Sequence, residues 1–335
     1  MLNYGQIIDV HLEISSLCNA TCPLCPRNFY GYTYNNGYPE VNLTLENAKK
    51  IFTREFLLQL RTIYINGNYG DIVMNPDGAD IVDYFKSVNS NLKITISTNG
   101  SARNKDFWQQ LAKSGAEVLF CLDGLADTHS LYRQNTIWDV IVKNAKEFIS
   151  AGGKATWKMI RFKHNEHQVF DCKALSKQLG FSNFVIINDG RDKGPVFNKH
   201  GELSHVIGDY TEDTDFKRMF FKKKTDDVLL EDIIRDRAPK KTIQCVAKIN
   251  RSIYIAANGD VSPCCWLGFH PKTYGKGGFH QAANSQIAPL MEKYNALDYS
   301  IQECIEWFKQ IEGCWRKDTY ENGRLVICDD VCGIK

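Results

Sequence analysis

Residues 7–25 read IIDVHLEISSLCNATCPLC and join an apolar run directly to three closely spaced cysteines. The run over residues 7–14 is rich in isoleucine, valine and leucine, which predicts a β-strand. The cysteines follow at Cys18, Cys22 and Cys25 with the spacing C-x3-C-x2-C. Three thiolates on one short loop can converge on a cube of iron and sulfide. This stretch therefore predicts a strand that ends in a metal site.

Repeated strand–helix units continue from this strand over residues 1–190. Further strands are predicted at 62–67, 92–100, 117–122, 155–162 and 184–188. Helices are predicted between them at 45–60 (with Thr44 as N-cap), 79–88, 105–114, 138–151 and 168–179. Units of this length require a parallel sheet of the α/β class. We expect this sheet to curve into a full or partial barrel, and the six predicted strands are fewer than the eight of a full barrel.

The pattern changes after residue 190. Residues 191–240 are polar and irregular, which predicts a linker or lid segment. Two short strands within 251–266, on either side of Asn258 and Gly259, predict a hairpin. Helical spacing follows near 286–295 and 300–311, and then a tail that contains cysteines. We expect residues 241–335 to form a small α+β domain.

The composition excludes some classes of partner. The chain has 335 residues with 41 basic and 39 acidic side chains, a formal net charge of +2. That balance gives no electrostatic argument for binding nucleic acid or a membrane surface. No stretch approaches the ~20 apolar residues of a transmembrane helix, and the first residues lack a signal-peptide core. We expect a cytoplasmic protein, in which twelve cysteines indicate metal or redox sites.

A four-iron cluster with only three protein ligands leaves one iron open. That iron can bind the amino and carboxylate groups of S-adenosylmethionine (SAM), whose cleavage yields a 5′-deoxyadenosyl radical. A structural zinc site is the main competitor, but it needs a fourth nearby ligand. His11 is the nearest candidate and lies inside the predicted strand. The open three-cysteine site therefore favours iron over zinc.

The chain resembles the radical SAM enzymes over most of its length. The resemblance rests on the cysteine triplet after the first strand, on the TNG turn over residues 98–100, and on LDG over residues 122–124 followed by Arg133. It implies a partial (β/α)6 barrel, a SAM-binding [4Fe–4S] cluster on the triplet, and hydrogen abstraction from a substrate carbon. It also implies a reducing partner such as flavodoxin or ferredoxin.

The same resemblance implies a SAM site at the carboxyl ends of the strands. Family members often carry Gly-Gly-Glu after the second strand to meet the SAM amine, whereas this chain has INGNYGD over residues 65–71. Either an Asp charge or an Asn amide can replace that glutamate. Arg133 is a candidate for the SAM carboxylate, and its alternative is a surface salt bridge. The implied SAM contacts are Asn66, Gly67, Asn68, Asp71, Ser97, Asn99 and Arg133.

Several residues near strand ends are candidates for substrate or adenine contact. Cys121 follows a strand and can donate a hydrogen atom, as a cysteine does in epimerase-like members, or can be a small buried side chain. Ile186 and Ile187 flank adenine or belong to the core. Possible substrate contacts are Asp123, Lys158, Arg161, His164 and Asn188.

The C-terminal cysteines resemble the SPASM or twitch extension of radical SAM enzymes. Cys245, Gly259 and Cys264 have the spacing C-x13-G-x4-C, and only Cys328-x3-Cys332 remains of the second SPASM motif. The resemblance implies one auxiliary [4Fe–4S] cluster, with a four-cysteine zinc knuckle as the alternative. The ligands it implies are Cys245, Cys264, Cys314 and Cys332, with Cys265 and Cys328 in reserve and Cys304 as helix packing.

Three functions stay open from the sequence. The first is a radical SAM enzyme that modifies, oxidises or epimerises a peptide or protein. The second is a small-molecule radical SAM dehydrogenase or epimerase. The third is a non-catalytic zinc or iron–sulfur binding module, which the altered Gly-Gly-Glu region favours. Methyl transfer is disfavoured because no cobalamin domain is evident.

Overall fold

The computed structural model describes residues 1–28, 30–32, 39–188, 194–208, 230–234, 237–239, 242–269 and 283–334. Its main feature is one sheet of eight strands in the order β11-β10-β1-β2-β3-β4-β5-β6. All neighbours pair in parallel except β10 and β11, which are antiparallel. The strands are β1 Asp9–Leu12, β2 Thr62–Ile65, β3 Lys93–Thr98, β4 Glu117–Cys121, β5 Lys154–Ile160, β6 Asn183–Ile187, β10 Ser252–Ile255 and β11 Val261–Ser262.

Helices join the parallel strands and cover the outer face of the sheet. Those of the first part are α1 Leu45–Ile51, α2 Arg54–Gln59, α3 Gly78–Val88, α4 Lys105–Ser114, α5 His129–Tyr132, α6 Trp138–Ser150 and α7 Val169–Gln178. Their apolar sides pack on strand residues such as Val118, Phe120 and Trp157, which are fully buried. The inner face is more polar, with His11 beside Tyr64 in the pairing of β1 and β2. The core thus lies between sheet and helices, and the inner face is left for a site.

The later part of the chain contributes short elements. They are the hairpin β7 Gly194–Phe197 with β8 Leu203–Ile207, α8 Leu230–Ile234, β9 Thr242–Ile243, α9 Val246–Asn250, α10 Ile301–Cys304, α11 Phe308–Trp315, α12 Val326–Cys332 and β12 Gly333–Ile334. Most of the predicted linker or lid over residues 191–240 lies outside the described residues, which include the β7–β8 hairpin and α8. None of the described helices is long and apolar enough to cross a membrane.

All six strands predicted for the barrel are present, and so is the hairpin at Asn258 and Gly259, where Gly259 has a φ of +90°. The single helix predicted over residues 45–60 is wrong. Thr53 accepts a hydrogen bond from the Phe56 backbone N–H and starts a second helix, just as Thr44 caps the first. The helices predicted near 286–295 and 300–311 are also wrong in extent, since Ser285–Leu290 is a 3-10 segment and the second divides into α10 and α11.

The C-terminal hairpin belongs to the main sheet. β10 pairs in parallel with β1, with Asp9 opposite Ser252 and Leu12 opposite Ile255. The hairpin therefore extends the six predicted strands to eight and covers the β1 edge. The domain boundaries at residues 190 and 241 stay predictions.

Candidate active site

A cavity of about 410 Å³ opens at the carboxyl ends of the parallel strands. The cysteine loop follows β1 and the loop Asn66–Asp71 follows β2, so the topology brings both to this end of the sheet. All the residues predicted for the first cluster, the SAM site and hydrogen donation line this cavity: Cys18, Cys22, Cys25, Asn66, Gly67, Asn68, Asp71, Ser97, Asn99, Arg133 and Cys121. One cavity thus joins residues that are far apart in the sequence.

Of the triplet, Cys22 is buried and Cys18 and Cys25 are half-buried, and N–H groups lie beside the sulfurs of Cys18 and Cys22. The Ala20 backbone N–H lies 3.4 Å and Asn99 Nδ2 lies 3.7 Å from the Cys18 sulfur, and Arg133 Nη1 lies 3.7 Å from the Cys22 sulfur. Burial raises the pKa of Cys22 to about 11, although the Arg133 charge acts against it. Burial, and then the neighbouring acid and thiols, raise the pKa of Cys18. The thiols of Cys18 and Cys22 therefore stay protonated until a metal centre displaces the protons.

The donor set of the triplet fits an iron–sulfur cluster. Soft thiolates on one loop are the usual ligands of iron–sulfur clusters, and N–H donors directed at the sulfurs stabilise their negative charge. Within the described part of the chain, no three His, Cys, Asp or Glu side chains stand close enough together to hold a single metal ion. A cube of four irons and four sulfides fills a wider space between its ligands than one ion does. Cys18, Cys22 and Cys25 would hold that cube.

Glu13 supports the loop after β2 and was missed by the sequence analysis. Its Oε1 accepts hydrogen bonds from the backbone N–H groups of Tyr69 at 2.7 Å and Gly70 at 3.2 Å, and its Oε2 accepts one from the Tyr254 hydroxyl at 3.1 Å. The side chain is fully buried, and burial raises the pKa of Glu13 to about 7 despite these bonds. A carboxylate thus does meet this loop, but it comes from the end of β1.

Asp71 and Asn68, the two candidates for the SAM amine, have different surroundings. The Asp71 carboxylate accepts hydrogen bonds from the Thr98 hydroxyl at 2.6 Å and the Asn99 backbone N–H at 2.7 Å. It therefore fastens the loop after β2 to the TNG turn after β3. Asn68 also lines the cavity, and its Nδ2 donates to the Cys265 carbonyl at 2.7 Å.

Arg133 forms an ion pair inside the protein, so the surface salt bridge weighed in the sequence analysis is wrong. Its Nε donates to Asp123 Oδ2 at 2.6 Å, and the Asp123 side chain is completely buried. Asp123 Oδ1 accepts the Ile160 backbone N–H at 2.6 Å, which fixes the carboxylate between β4 and β5. The pair positions the guanidinium beside the Cys22 sulfur.

Only some of the residues predicted to contact substrate or adenine line the cavity. Lys158 and Ile187 line the cavity, and so does Cys121, whose sulfur lies 3.4 Å from the Ser97 hydroxyl oxygen. The remaining candidates do not line it: Asp123, Arg161, His164, Ile186 and Asn188. Ile186 is more than one-third exposed, which also argues against the core packing that was weighed for it.

A second cavity of about 220 Å³ lies beside the C-terminal hairpin. Its sulfur-bearing wall consists of Cys245, Cys264, Cys265, Cys328 and Cys332. A hydrogen bond between Cys245 and Cys332 raises the pKa of Cys245 and lowers that of Cys332. Three of these five, Cys245, Cys264 and Cys332, are predicted ligands of the auxiliary cluster, and the other two are the predicted reserves.

Cys314, a predicted ligand, does not line this cavity. Its sulfur donates to the Gln310 carbonyl at 3.5 Å, within α11. Cys328 lies in the cavity wall instead, where burial raises its pKa to about 12. The Trp315 nitrogen is itself buried and has no acceptor within hydrogen-bonding distance among the described residues. A thiolate or sulfide at this place would give it one, which fits an iron–sulfur cluster.

The two cavities share part of their walls. His11, Cys265 and Trp266 line both of them. The His11 Nε2–H donates to the Asn66 carbonyl at 2.5 Å, and burial lowers the pKa of this imidazole, so it is neutral. A single layer of side chains thus separates the two groups of thiols. Cys304, by contrast, is fully buried in α10 and lines neither cavity, as predicted.

The fold and the site together define an α/β protein with a curved parallel sheet and an open three-thiol site at its carboxyl end. The sequence profile of the Radical SAM superfamily matches residues 12–187, more than half of the chain. The chain belongs to the radical SAM superfamily. Membership implies a [4Fe–4S] cluster and SAM as cofactors. No curated protein matches the sequence.

Solved structures similar to this one share its fold. SuiB of Streptococcus suis bound to S-adenosylmethionine aligns with a TM-score of 0.57 at 15% identity, over 97% of this chain and 73% of SuiB. SuiB bound to the precursor peptide SuiA gives 0.59 at 16%, over 97% and 72%. anSMEcpe with bound AdoMet and Cp18Cys peptide gives 0.52 at 15%, over 95% and 88%. The fold is therefore the predicted partial barrel, and the alignments extend into the predicted SPASM/twitch-type segment.

Proposed function

We propose that the chain is a radical SAM enzyme with one auxiliary [4Fe–4S] cluster that abstracts a hydrogen atom from a carbon of a peptide or protein. The observation that carries the proposal is the cavity into which three thiols, the Asn66–Asp71 loop and Arg133 all open. Peptide substrates are supported by the similar structures, two of which contain a bound peptide. A cytoplasmic location and a flavodoxin or ferredoxin as electron donor belong to the same proposal.

When bound, the cluster supplies one electron to SAM, which yields methionine and the 5′-deoxyadenosyl radical that takes hydrogen from the substrate. The residues of the chain bind and orient. Arg133, held by Asp123, offers its remaining guanidinium N–H groups to the SAM carboxylate. Glu13 and Asp71 fix the loop after β2 from both sides, so that Asn68 and the backbone of the loop face the SAM amine. Most of this bonding is complete before SAM binds, which lowers the cost of ordering the site.

The auxiliary cluster is assigned to Cys245, Cys264, Cys328 and Cys332. These four line one cavity, and the Trp315 N–H beside Cys328 lacks an acceptor. This proposal replaces Cys314 of the sequence-based set with Cys328. These four thiols would hold a fully ligated cluster, which would supply a site for electron transfer, and His11, Cys265 and Trp266 line both this cavity and the active one.

A second candidate is epimerisation, which the position of Cys121 favours. Its thiol lines the active cavity and meets the Ser97 hydroxyl. Donation of the thiol hydrogen to a substrate radical forms the product C–H bond and leaves a thiyl radical, which the electron donor and a proton must convert back. In deuterated water this reaction places one deuterium on the product carbon, whereas oxidation places none.

The test is anaerobic reconstitution of the chain with iron and sulfide, followed by dithionite and SAM. About eight irons per chain and SAM-dependent 5′-deoxyadenosine are expected for two clusters. Cys22→Ala should lose about four irons and all deoxyadenosine. Cys172→Ala, in the buried side of α7 away from both cavities, is the matched control. Bound zinc instead of iron, with no deoxyadenosine, would leave only a metal-stabilised binding module.

A further inference from the structure

Lys158 lies in the wall of the active cavity, near the carboxyl end of β5. It pairs across the sheet with Cys121 of β4. Side chains alternate along a strand, so Lys158 and Ile160 face the cavity while Trp157 and Met159 are completely buried in the outer core. The strand therefore points this lysine at the reaction space.

The other two charged side chains of the cavity wall, Arg133 and Asp71, both have polar partners among the described residues. Arg133 is paired with Asp123, and the Asp71 carboxylate accepts hydrogen bonds from the TNG turn. The Lys158 ammonium makes no hydrogen bond or ion pair with any residue that the structure describes. A half-buried ammonium has lost part of its hydration, and without a counter-charge no interaction offsets that loss. An anionic ligand would supply a counter-charge for Lys158.

We propose, on the basis of the function proposed above, that Lys158 binds a carboxylate of the substrate. A single positive charge matches a carboxylate, whereas a phosphate with nearly two negative charges would need a second cation in this wall. The substrate, rather than SAM, supplies this carboxylate because Arg133 already stands beside the cluster thiol Cys22. In a peptide it is an Asp or Glu side chain or a free α-carboxylate. The contact holds the reacting carbon near Cys121.

The test measures the accessibility of Lys158 in the anaerobically reconstituted full chain with SAM. The probes are two tripeptides, Ac-Ala-Glu-Ala-NH2 and Ac-Ala-Gln-Ala-NH2, which differ only in the carboxylate. Acylation by an N-hydroxysuccinimide ester is followed at Lys158 by mass spectrometry. Lys154, at the exposed start of the same strand and paired with Glu117, is the internal control. The Glu peptide should slow acylation of Lys158 about threefold or more and leave Lys154 unchanged, because a charged contact contributes this much or more. Equal protection by both peptides, or by neither, overturns the proposal.

A second arm separates the substrate from SAM. Lys158→Met should change the dissociation constant of SAM less than about twofold, whereas Arg133→Met should weaken SAM about tenfold, as expected for the loss of a charged hydrogen bond. If Lys158→Met also weakens SAM about tenfold, the carboxylate at Lys158 is that of SAM and the proposal is overturned. Absence of SAM binding in the unmodified chain would instead refute the proposed function, so the two failures are distinguishable.

Discussion

The structure predicts by how much Glu13→Gln changes the pH dependence of the free energy of unfolding. Burial raises the pKa of Glu13 from 4.5 to about 7. The folded chain therefore keeps a proton between these values that the unfolded chain releases, and the free energy of unfolding falls as the pH rises through this window. The pKa difference corresponds to about 3 kcal/mol, most of which is lost between pH 5 and pH 8.

The glutamine keeps one oxygen for the N–H groups of Tyr69 and Gly70 and has no proton to lose. Urea unfolding of the metal-free chain, measured anaerobically at several pH values, gives the comparison. Relative to the original chain, Glu13→Gln should gain about 2–3 kcal/mol in unfolding free energy from pH 5 to pH 8, because only the original chain loses stability over this range. Glu117→Gln, at the exposed end of β4, is the matched control without this gain. Parallel curves for the Glu13 variant and the original chain would show that Glu13 is already ionised, and the reasoning from burial would be wrong.

Three further outcomes are expected. Cys328→Ala should lose the auxiliary cluster, about four irons, whereas Cys314→Ala should keep it. Iron content and electron paramagnetic resonance measure this, and the reverse result would restore the sequence-based ligand set. Arg324→Met should cost about 3–5 kcal/mol in urea unfolding, because it strands the Asp329 carboxylate, which is 1% exposed; a cost below about 1 kcal/mol would contradict a buried pair. Gly70→Ala should weaken SAM binding at least about tenfold in titration, because its Cβ would stand 1.9 Å from a backbone oxygen of the β1 loop; unchanged affinity would show that the loop can move.

The barrel was predictable because its signals are local. Alternating strands and helices, the Thr44 cap and the spacing of the triplet each depend on neighbouring residues. The error over residues 45–60 came from a continuous apolar pattern that hid a second cap at Thr53, whose hydroxyl can serve a helix start as well as a helix interior. Local patterns show where helices are possible, but tertiary packing decides where one ends.

The missing parts of the candidate site depend on distant contacts. Glu13 resembles the polar side of a strand in the sequence, and only the fold brings it to the loop after β2. Residue type alone does not distinguish Cys328 from Cys314 as a cluster ligand. The choice between them depends on which helix faces the hairpin. Lys158 was one of several candidates, and its lack of a partner is visible only when the cavity wall is assembled. Spacing can identify ligands on one loop, but not those that different elements contribute.

The pairing of β1 with β10 has a consequence for synthesis of the protein. Asp9 leaves the ribosome well before its neighbour in the sheet, Ser252, because residues 10–251 are made between them. During that interval one edge of β1 has no strand beside it, and such an edge is prone to pair with other chains. Closure of that edge brings Cys245 and Cys264 into place at the same late step. Chaperone protection of the β1 edge would therefore have to last until the hairpin is made, and delivery of iron to Cys245 and Cys264 would have to wait for it.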